Sequence, residues 1–304
     1  MSKIVVGVDG SPSAVNAAVW AAREAAARGE VLRLVHTYFV PLRGYPGFLA
    51  TYPEVREGMR HQGQIWLDEA MTAAGQAAPG VEVETDLLEG EVVPALLEET
   101  AGARLVAIGS RGLGGFTGML VGSVAVALAA HGDCPVTVVR GAKPSDQPPA
   151  EGPVVVGVDG SEASLSALEF AFEEASARSV RLIAVHTWND VTLEATLRMY
   201  PFSVDPADVD AEEKAVLDAQ VALWQDKFPG VEVETVVERG RPVRALLERA
   251  ERAQLVVVGS RGRGGFKGML LGSTSRALIT HAPCPVAIVR PPSGARRDEQ
   301  DGAA

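Results

Sequence analysis

Cysteine is nearly absent from this chain of 304 residues, which has only Cys134 and Cys284. The two hold equivalent places in two similar halves, so they are no disulfide framework. Such sparing use fits a reducing compartment, and a cytoplasmic location is expected. No apolar run is long enough to cross a bilayer. The first residues, "MSKIVVGVDG", enter a strand pattern directly and do not read as a signal peptide. Positive charge is scarce: 28 Lys and Arg stand against 39 Asp and Glu, a formal net charge of −11. An acidic surface repels nucleic acid and anionic membrane, so neither is an expected partner. Several catalytic signatures are also missing. There is no G-x-x-x-x-G-K-[ST] loop, and no G-x-G-x-x-G follows the first strand. No His, Cys, Asp or Glu cluster has metal-ligand spacing, and no Ser/His/Asp set stands out.

What is present is a duplication. "GSRGLGGFTGMLVGS" begins at Gly109, and "GSRGRGGFKGMLLGS" begins at Gly259. "IVVGVDGSPSA" from Ile4 returns as "VVVGVDGSEAS" from Val154, and "HGDCPVTVVR" from His131 returns as "HAPCPVAIVR" from His281. The offset is 150 residues throughout, as from Gly109 to Gly259. A repeat of that size is a domain. Residues 1–140 form the first and 154–290 the second. The Pro- and Gly-rich stretch 141–153 is a linker, and 291–304 a disordered tail.

Each half alternates strand and helix signals. In the first, Ile4 to Val8 is a short branched apolar run, read as a buried strand. Ser11 can cap the helix that follows, Pro12 suits its first turn, and Gly29 ends it. Strands are then expected at 32–35, 81–87, 105–108 and 136–139, with helices at 61–78, 93–100 and 120–130. Five strands with helical crossovers imply an α/β domain with a parallel sheet covered by helices on both faces. Ligands in such sheets bind at the carboxyl ends of the strands, where strand order reverses.

The glycine loop follows the fourth strand. Gly109 and Gly112 permit a tight turn and let backbone N–H groups approach an anion. Gly122 and Ser123 fall at the start of the next helix, where free N–H groups and the helix dipole favour phosphate. The pattern, G-x-x-G then nine residues then G-S, recurs at Gly259, Gly262, Gly272 and Ser273. Asp9 and Asp159 each end a first strand, where a carboxylate accepts from ribose hydroxyls, meets a phosphate-held metal, or simply starts a turn. Gly7 and Gly157 precede them, small either to clear a ligand or for helix packing. The loop cations are unequal: Arg111 alone in the first, but Arg261, Arg263 and Lys267 in the second. The second loop is therefore expected to hold a phosphate ligand more tightly. His36, His186, His131 and His281 are read as structural, and the cysteines as packing.

The glycine loop, the strand-end aspartate in "VGVDGS" and the "CPV" final strand together resemble the universal stress protein family. The likeness runs over both halves, so the chain looks like a tandem-domain member, similar to those of mycobacteria and other actinobacteria. The resemblance implies two Rossmann-like domains with strand order 3-2-1-4-5 and ATP in each, two sites per chain, with or without magnesium. It places adenine near Tyr38 to Val40 and near Trp188 to Asp190. It carries the binding set over to Gly7, Asp9, Val40, Gly109, Ser110, Arg111, Gly112, Gly114, Gly115, Gly122 and Ser123. In the second half the set is Gly157, Asp159, Asp190, Gly259, Ser260, Arg261, Gly262, Arg263, Gly264, Gly265, Gly272, Ser273, Thr274 and Ser275. Segments 39–60 and 189–210 diverge between the halves. With that strand order, 136–139 and 286–289 become sheet edges, where pairing of the two domains and homodimerisation are expected. The expected role is a nucleotide-dependent regulator in stress response or growth control, acting on an unknown protein partner. The rival is an enzyme, a slow ATPase or ATP-using transferase, and a third reading is that the sites take AMP or another adenylate.

Overall fold

Ile4, Val5 and Val6 have no exposed surface at all. A strand buried on both faces reads as a continuous apolar run, because neither side of its pleat meets water. These residues form β1 (Lys3–Gly7), the middle of a five-stranded parallel sheet. β2 (Val31–Tyr38) and β4 (Ala103–Gly109) flank it; β3 (Val83–Glu89) lies beyond β2, and β5 (Val136–Val139) beyond β4. The order in this unit is β3-β2-β1-β4-β5. The computed structural model describes residues 2–39, 52–113, 122–141, 143, 146–188, 206–263 and 270–292. The chain divides into two units, Met1–Pro148 and Pro149–Ala304.

Helix α1 (Pro12–Arg28) is bounded by its own residues. The Ser11 side chain accepts from the Ala14 N–H, Pro12 opens the first turn, and Gly29 closes the last with φ 65°. Its buried face is mostly alanine, which brings the helix close to the sheet. α1 packs on α2 (Tyr52–Ala77), and α3 (Val92–Thr100) packs on α4 (Ser123–His131). The crossovers run one way from β1 to β3 and the other way from β4 to β5. Right-handed connection then puts the two helix pairs on opposite faces. The strand order turns back between β1 and β4, and a crevice opens above their carboxyl ends.

The second unit repeats the plan. Its strands are β6 (Val154–Gly157), β7 (Leu182–Trp188), β8 (Val233–Arg239), β9 (Leu255–Gly259) and β10 (Val286–Val289), all parallel in the order β8-β7-β6-β9-β10. The helices are α5 (Glu162–Arg178), α6 (Pro206–Gln225), α7 (Pro242–Ala250) and α8 (Ser273–His281). Ser179 takes the left-handed closing position that Gly29 holds in the first unit, with φ 54°.

Several element bounds differ from the sequence expectation, most clearly those of α2, β2 and β3. α2 starts at Tyr52, well before the expected 61, because its first turns are polar and exposed and carry no apolar stripe. β2 continues past Val35 to Tyr38, and β3 occupies 83–89 instead of 81–87. Both strands gain residues at their carboxyl ends, on the side where the crevice lies.

Candidate functional site

The crevice of the first unit is a cleft of about 390 Å³, and that of the second one of about 460 Å³. Most of the first cleft is apolar wall: Val8 and Val35 from the strand ends, Ile108 from β4, and Val92 and Leu96 from α3. Its polar end is made by Asp9, Arg111 and the first residues of α4. Val158, Val185, Val258, Leu246 and Pro242 form the corresponding walls in the second unit.

Asp9 is the hinge of the polar end. Its Oδ1 accepts from the Ser11 N–H at 3.0 Å and from the Ser11 hydroxyl at 2.6 Å. Its Oδ2 accepts from the Leu113 N–H at 3.2 Å, which ties the start of the glycine loop to the end of β1. The approach is close enough that a Cβ on Gly112 would stand 2.4 Å from Oδ2. Asp159 repeats this: Ser161 N–H at 3.0 Å, Ser161 hydroxyl at 2.6 Å, Arg263 N–H at 3.0 Å, and a Gly262 Cβ that would stand 2.2 Å away. The aspartates are thus loop latches, and their turn-starting and loop-contacting roles coexist.

Burial alone would raise the Asp159 carboxyl. The hydrogen bonds from Ser161, the Arg263 N–H and Ser164 outweigh it and hold the group below its ordinary 3.8. A value lowered in the folded state adds stability that is fully present above the unfolded value and lost as pH falls through the folded one. Asp159→Asn should therefore lower Tm at neutral pH and flatten its dependence on pH below about 4. An unchanged Tm–pH curve would contradict the latch.

Gly109 lies where β4 meets the first turn of α1. A Cβ there would come within 2.4 Å of Ser13 Oγ and 2.7 Å of the Ser13 backbone carbon. Gly259 meets Ala163 in the same way, at 2.7 Å from its backbone carbon. These glycines border the clefts, but it is α1 and α5 that demand them. Gly7 and Gly157 likewise combine both readings. Each lines its cleft, and a Cβ would press on Leu96 at 3.2 Å or Leu246 at 3.0 Å.

The loop's two ends are joined through Ser110. Its N–H donates to the Val139 carbonyl at 2.8 Å, and its carbonyl accepts from Gly122 N–H at 2.9 Å. Ser260 does the same with Val289 and Gly272, at 2.7 and 2.8 Å. Both serines are buried, and their backbone groups close the loop. Gly122 and Gly272 are the N-caps of α4 and α8, and neither helix has a side-chain cap. Helix starts capped by glycine keep their first N–H groups for an incoming acceptor. Ser123 and Ser273 are the first helical residues and line the clefts, as do Thr274 and Ser275. The Ser275 hydroxyl donates to the Gly259 carbonyl at 2.7 Å, so it is committed to the strand end. Arg111 and Arg261 line the clefts, and Arg263 is exposed just beyond. Val40, Gly114, Gly115, Asp190, Gly264, Gly265 and Lys267 lie outside the described residues.

Ser13 was not legible as a site residue. Its hydroxyl donates to the Arg111 carbonyl and so fixes the loop from the α1 side. Its signal was the S-x-S spacing in "GSPSA", which reads locally as a helix start and nothing more. His36 is buried; its Nδ1–H donates to the Val8 carbonyl at 2.6 Å, and its ring meets Trp66 edge-on at 5.1 Å. His186 donates to Val158 at 2.7 Å and has Glu213 on its other nitrogen at 3.1 Å. Both imidazoles brace the strand end that carries the aspartate. His131 and His281 are the last residues of α4 and α8. Burial pushes the Cys134 and Cys284 thiols up to about 12, so neither supplies a thiolate nucleophile.

Among the described residues no group of three or more His, Cys, Asp or Glu could hold a metal ion. Asp9 is the acidic side chain that lines the first cleft, and Asp159 the second. One carboxylate is no cage for magnesium, which could be held here only along with phosphate oxygens and water. No helix among the described residues is long and apolar enough to cross a membrane. In chemical terms, each cleft joins apolar walls to a polar end made by an aspartate, an arginine and an uncapped helix start.

Comparison with known proteins agrees over both units. The family model for the universal stress protein family matches residues 1–140 and 152–290. A universal stress protein of Mycobacterium tuberculosis is 37% identical over 302 residues, covering 95% of each chain. One from Mycolicibacterium smegmatis is 38% identical over 293 residues, covering 95% of this chain and 97% of its own. Among solved structures, a universal stress protein from Archaeoglobus fulgidus covers 95% of this chain and 98% of its own at 22% identity, with a TM-score of 0.65, and so shares the fold.

Proposed function

This chain is a tandem member of the universal stress protein family, and from that premise we propose that it is a nucleotide-dependent regulator that binds adenine nucleotide, ATP in the first instance, in each unit. The observation that carries the reading is the pairing, in one cleft, of apolar walls with a helix start that has only glycine for a cap. The walls take the adenine ring, the N–H groups of α4 and the Arg111 guanidinium take phosphate, and the Asp9 carboxylate accepts from ribose. Asp9 also accepts from the Leu113 N–H. Occupancy therefore reaches the glycine loop through one side chain, and a change there is what a protein partner would read.

Magnesium, where it accompanies the nucleotide, adds charge neutralisation at the phosphates. Among the described lining residues the geometry assigns no side chain the part of general base or water-orienting group, so binding is proposed in place of turnover. Two measurements test this. Titration with ATP should give two bound per chain, and mass spectrometry of the freshly purified protein should find an adenine nucleotide. Hydrolysis of labelled ATP well above the spontaneous rate would move the reading to an enzyme, and absence of any binding would remove it.

A further inference from the structure

The two clefts share a plan but differ systematically in charge and hydroxyl content. Glu91, the N-cap of α3, becomes Arg241 at the N-cap of α7; each adjoins a residue that lines its cleft, Val92 or Pro242. Leu113, whose N–H reaches Asp9, becomes Arg263. Arg263 folds back over the turn after β6, where a Cβ on Gly160 would strike its guanidinium at 1.9 Å. Val124 in the first turn of α4 becomes Thr274 in that of α8, an isostere carrying a hydroxyl, and both line their clefts. The exchanges at the loop and the helix start move the second cleft toward negative ligands and the first away from them.

We propose that the clefts sort adenine nucleotides by charge, the second taking the triphosphate and the first a nucleoside monophosphate. The inference rests on the nucleotide-binding reading above. ATP differs from AMP in further phosphoryl groups, each with charge to be met. In the second cleft these find the Arg263 side chain, folded over the turn after β6, and the Thr274 hydroxyl. In the first they find Leu113 and Val124, neither of which can donate from a side chain. Arg263 is exposed and the Debye length is ~8 Å at physiological salt, so its part of the discrimination is electrostatic and salt-sensitive.

The test compares ATP and AMP affinities on the full chain with one cleft blocked, by Gly262→Glu to read the first and Gly112→Glu to read the second. The second cleft should prefer ATP by about tenfold, with the preference shrinking as salt rises. The first should bind AMP at least as tightly as ATP. Arg263→Leu with Thr274→Val, placed with Gly112→Glu, should remove most of the second cleft's preference. The same ATP-to-AMP ratio in both clefts overturns the sorting and leaves nucleotide binding intact; no binding of either nucleotide overturns both readings. Should a blocked variant fail to fold, the otherwise unaltered chain carrying Leu113→Arg with Val124→Thr is measured by native mass spectrometry at limiting ATP. The fraction carrying two ATP should rise, and an unchanged distribution overturns the sorting.

Discussion

Gly112→Glu should eliminate nucleotide binding in the first unit and leave the second unit's site in place. The glycine faces the latch. Even a methyl group there would stand 2.4 Å from Asp9 Oδ2, so the loop must move off the strand end before any further side-chain atom is accommodated. Glutamate then adds a negative charge beside a carboxylate and at the place proposed for phosphate. Like-charge repulsion and the lost latch act together, and an affinity loss of at least a hundredfold, about 2.7 kcal/mol, is expected at that site. Gly262→Glu should act in the same way on the second unit, where the clearance is 2.2 Å. Calorimetric titration with ATP should show the bound count fall from two to one in either single variant and to none in the double. Far-UV circular dichroism separates this from unfolding. Two full sites in the double variant would show that the loops do not hold the nucleotide.

The largest loss of stability is expected from Gly109→Ala. The new methyl would meet Ser13 Oγ at 2.4 Å, the Ser13 backbone carbon at 2.7 Å and the Ala14 nitrogen at 2.8 Å. Two of these are backbone atoms of the first turn of α1 and cannot rotate away. The helix start has to retreat from β4, which weakens the Ser11 cap and the Ser13 contact with the loop. Overpacking of this kind costs roughly 1–3 kcal/mol, and a lost cap adds about 1 more, so a loss of about 3 kcal/mol is expected in urea unfolding. Gly75→Ala is the internal control. That residue is inside α2 with nothing within 4 Å of its added methyl. The substitution should stabilise by about 0.5–1 kcal/mol, the ordinary helix preference of alanine over glycine. Equal effects at the two positions would mean that the close approach at Gly109 is not structurally demanding.

What sequence could display was whatever is written locally. Ser11, Pro12 and Gly29 bound α1 because capping is decided by residues next to the helix ends. The branched runs of β1 and β4 were plain because central strands have no wet face to break the pattern. The start of α2 was hidden because an exposed helical turn needs no apolar stripe. The glycine loop could be placed after β4, but not the reason for each glycine in it. Gly109 is small for a helix, Gly112 for a carboxylate, and Gly122 serves as a cap; only coordinates separate those three demands. Ser13 was illegible for the same reason, since its partner Arg111 is distant in the chain.

Asn16 marks where the first unit ends. It is fully buried in α1, and its side-chain amide donates to the carbonyls of Lys143 and Asp146, at 3.0 and 3.2 Å. Nearby, Arg23 donates to Gln147 at 3.0 Å. Lys143, Asp146 and Gln147 therefore hold to the helix, although the composition of this stretch reads as a tether. For anyone dividing this chain into separate halves, the cut belongs after Pro148. A cut after Arg140 would strip two acceptors from a buried amide, a debt of about 1–3 kcal/mol that a boundary drawn at the last strand would leave concealed.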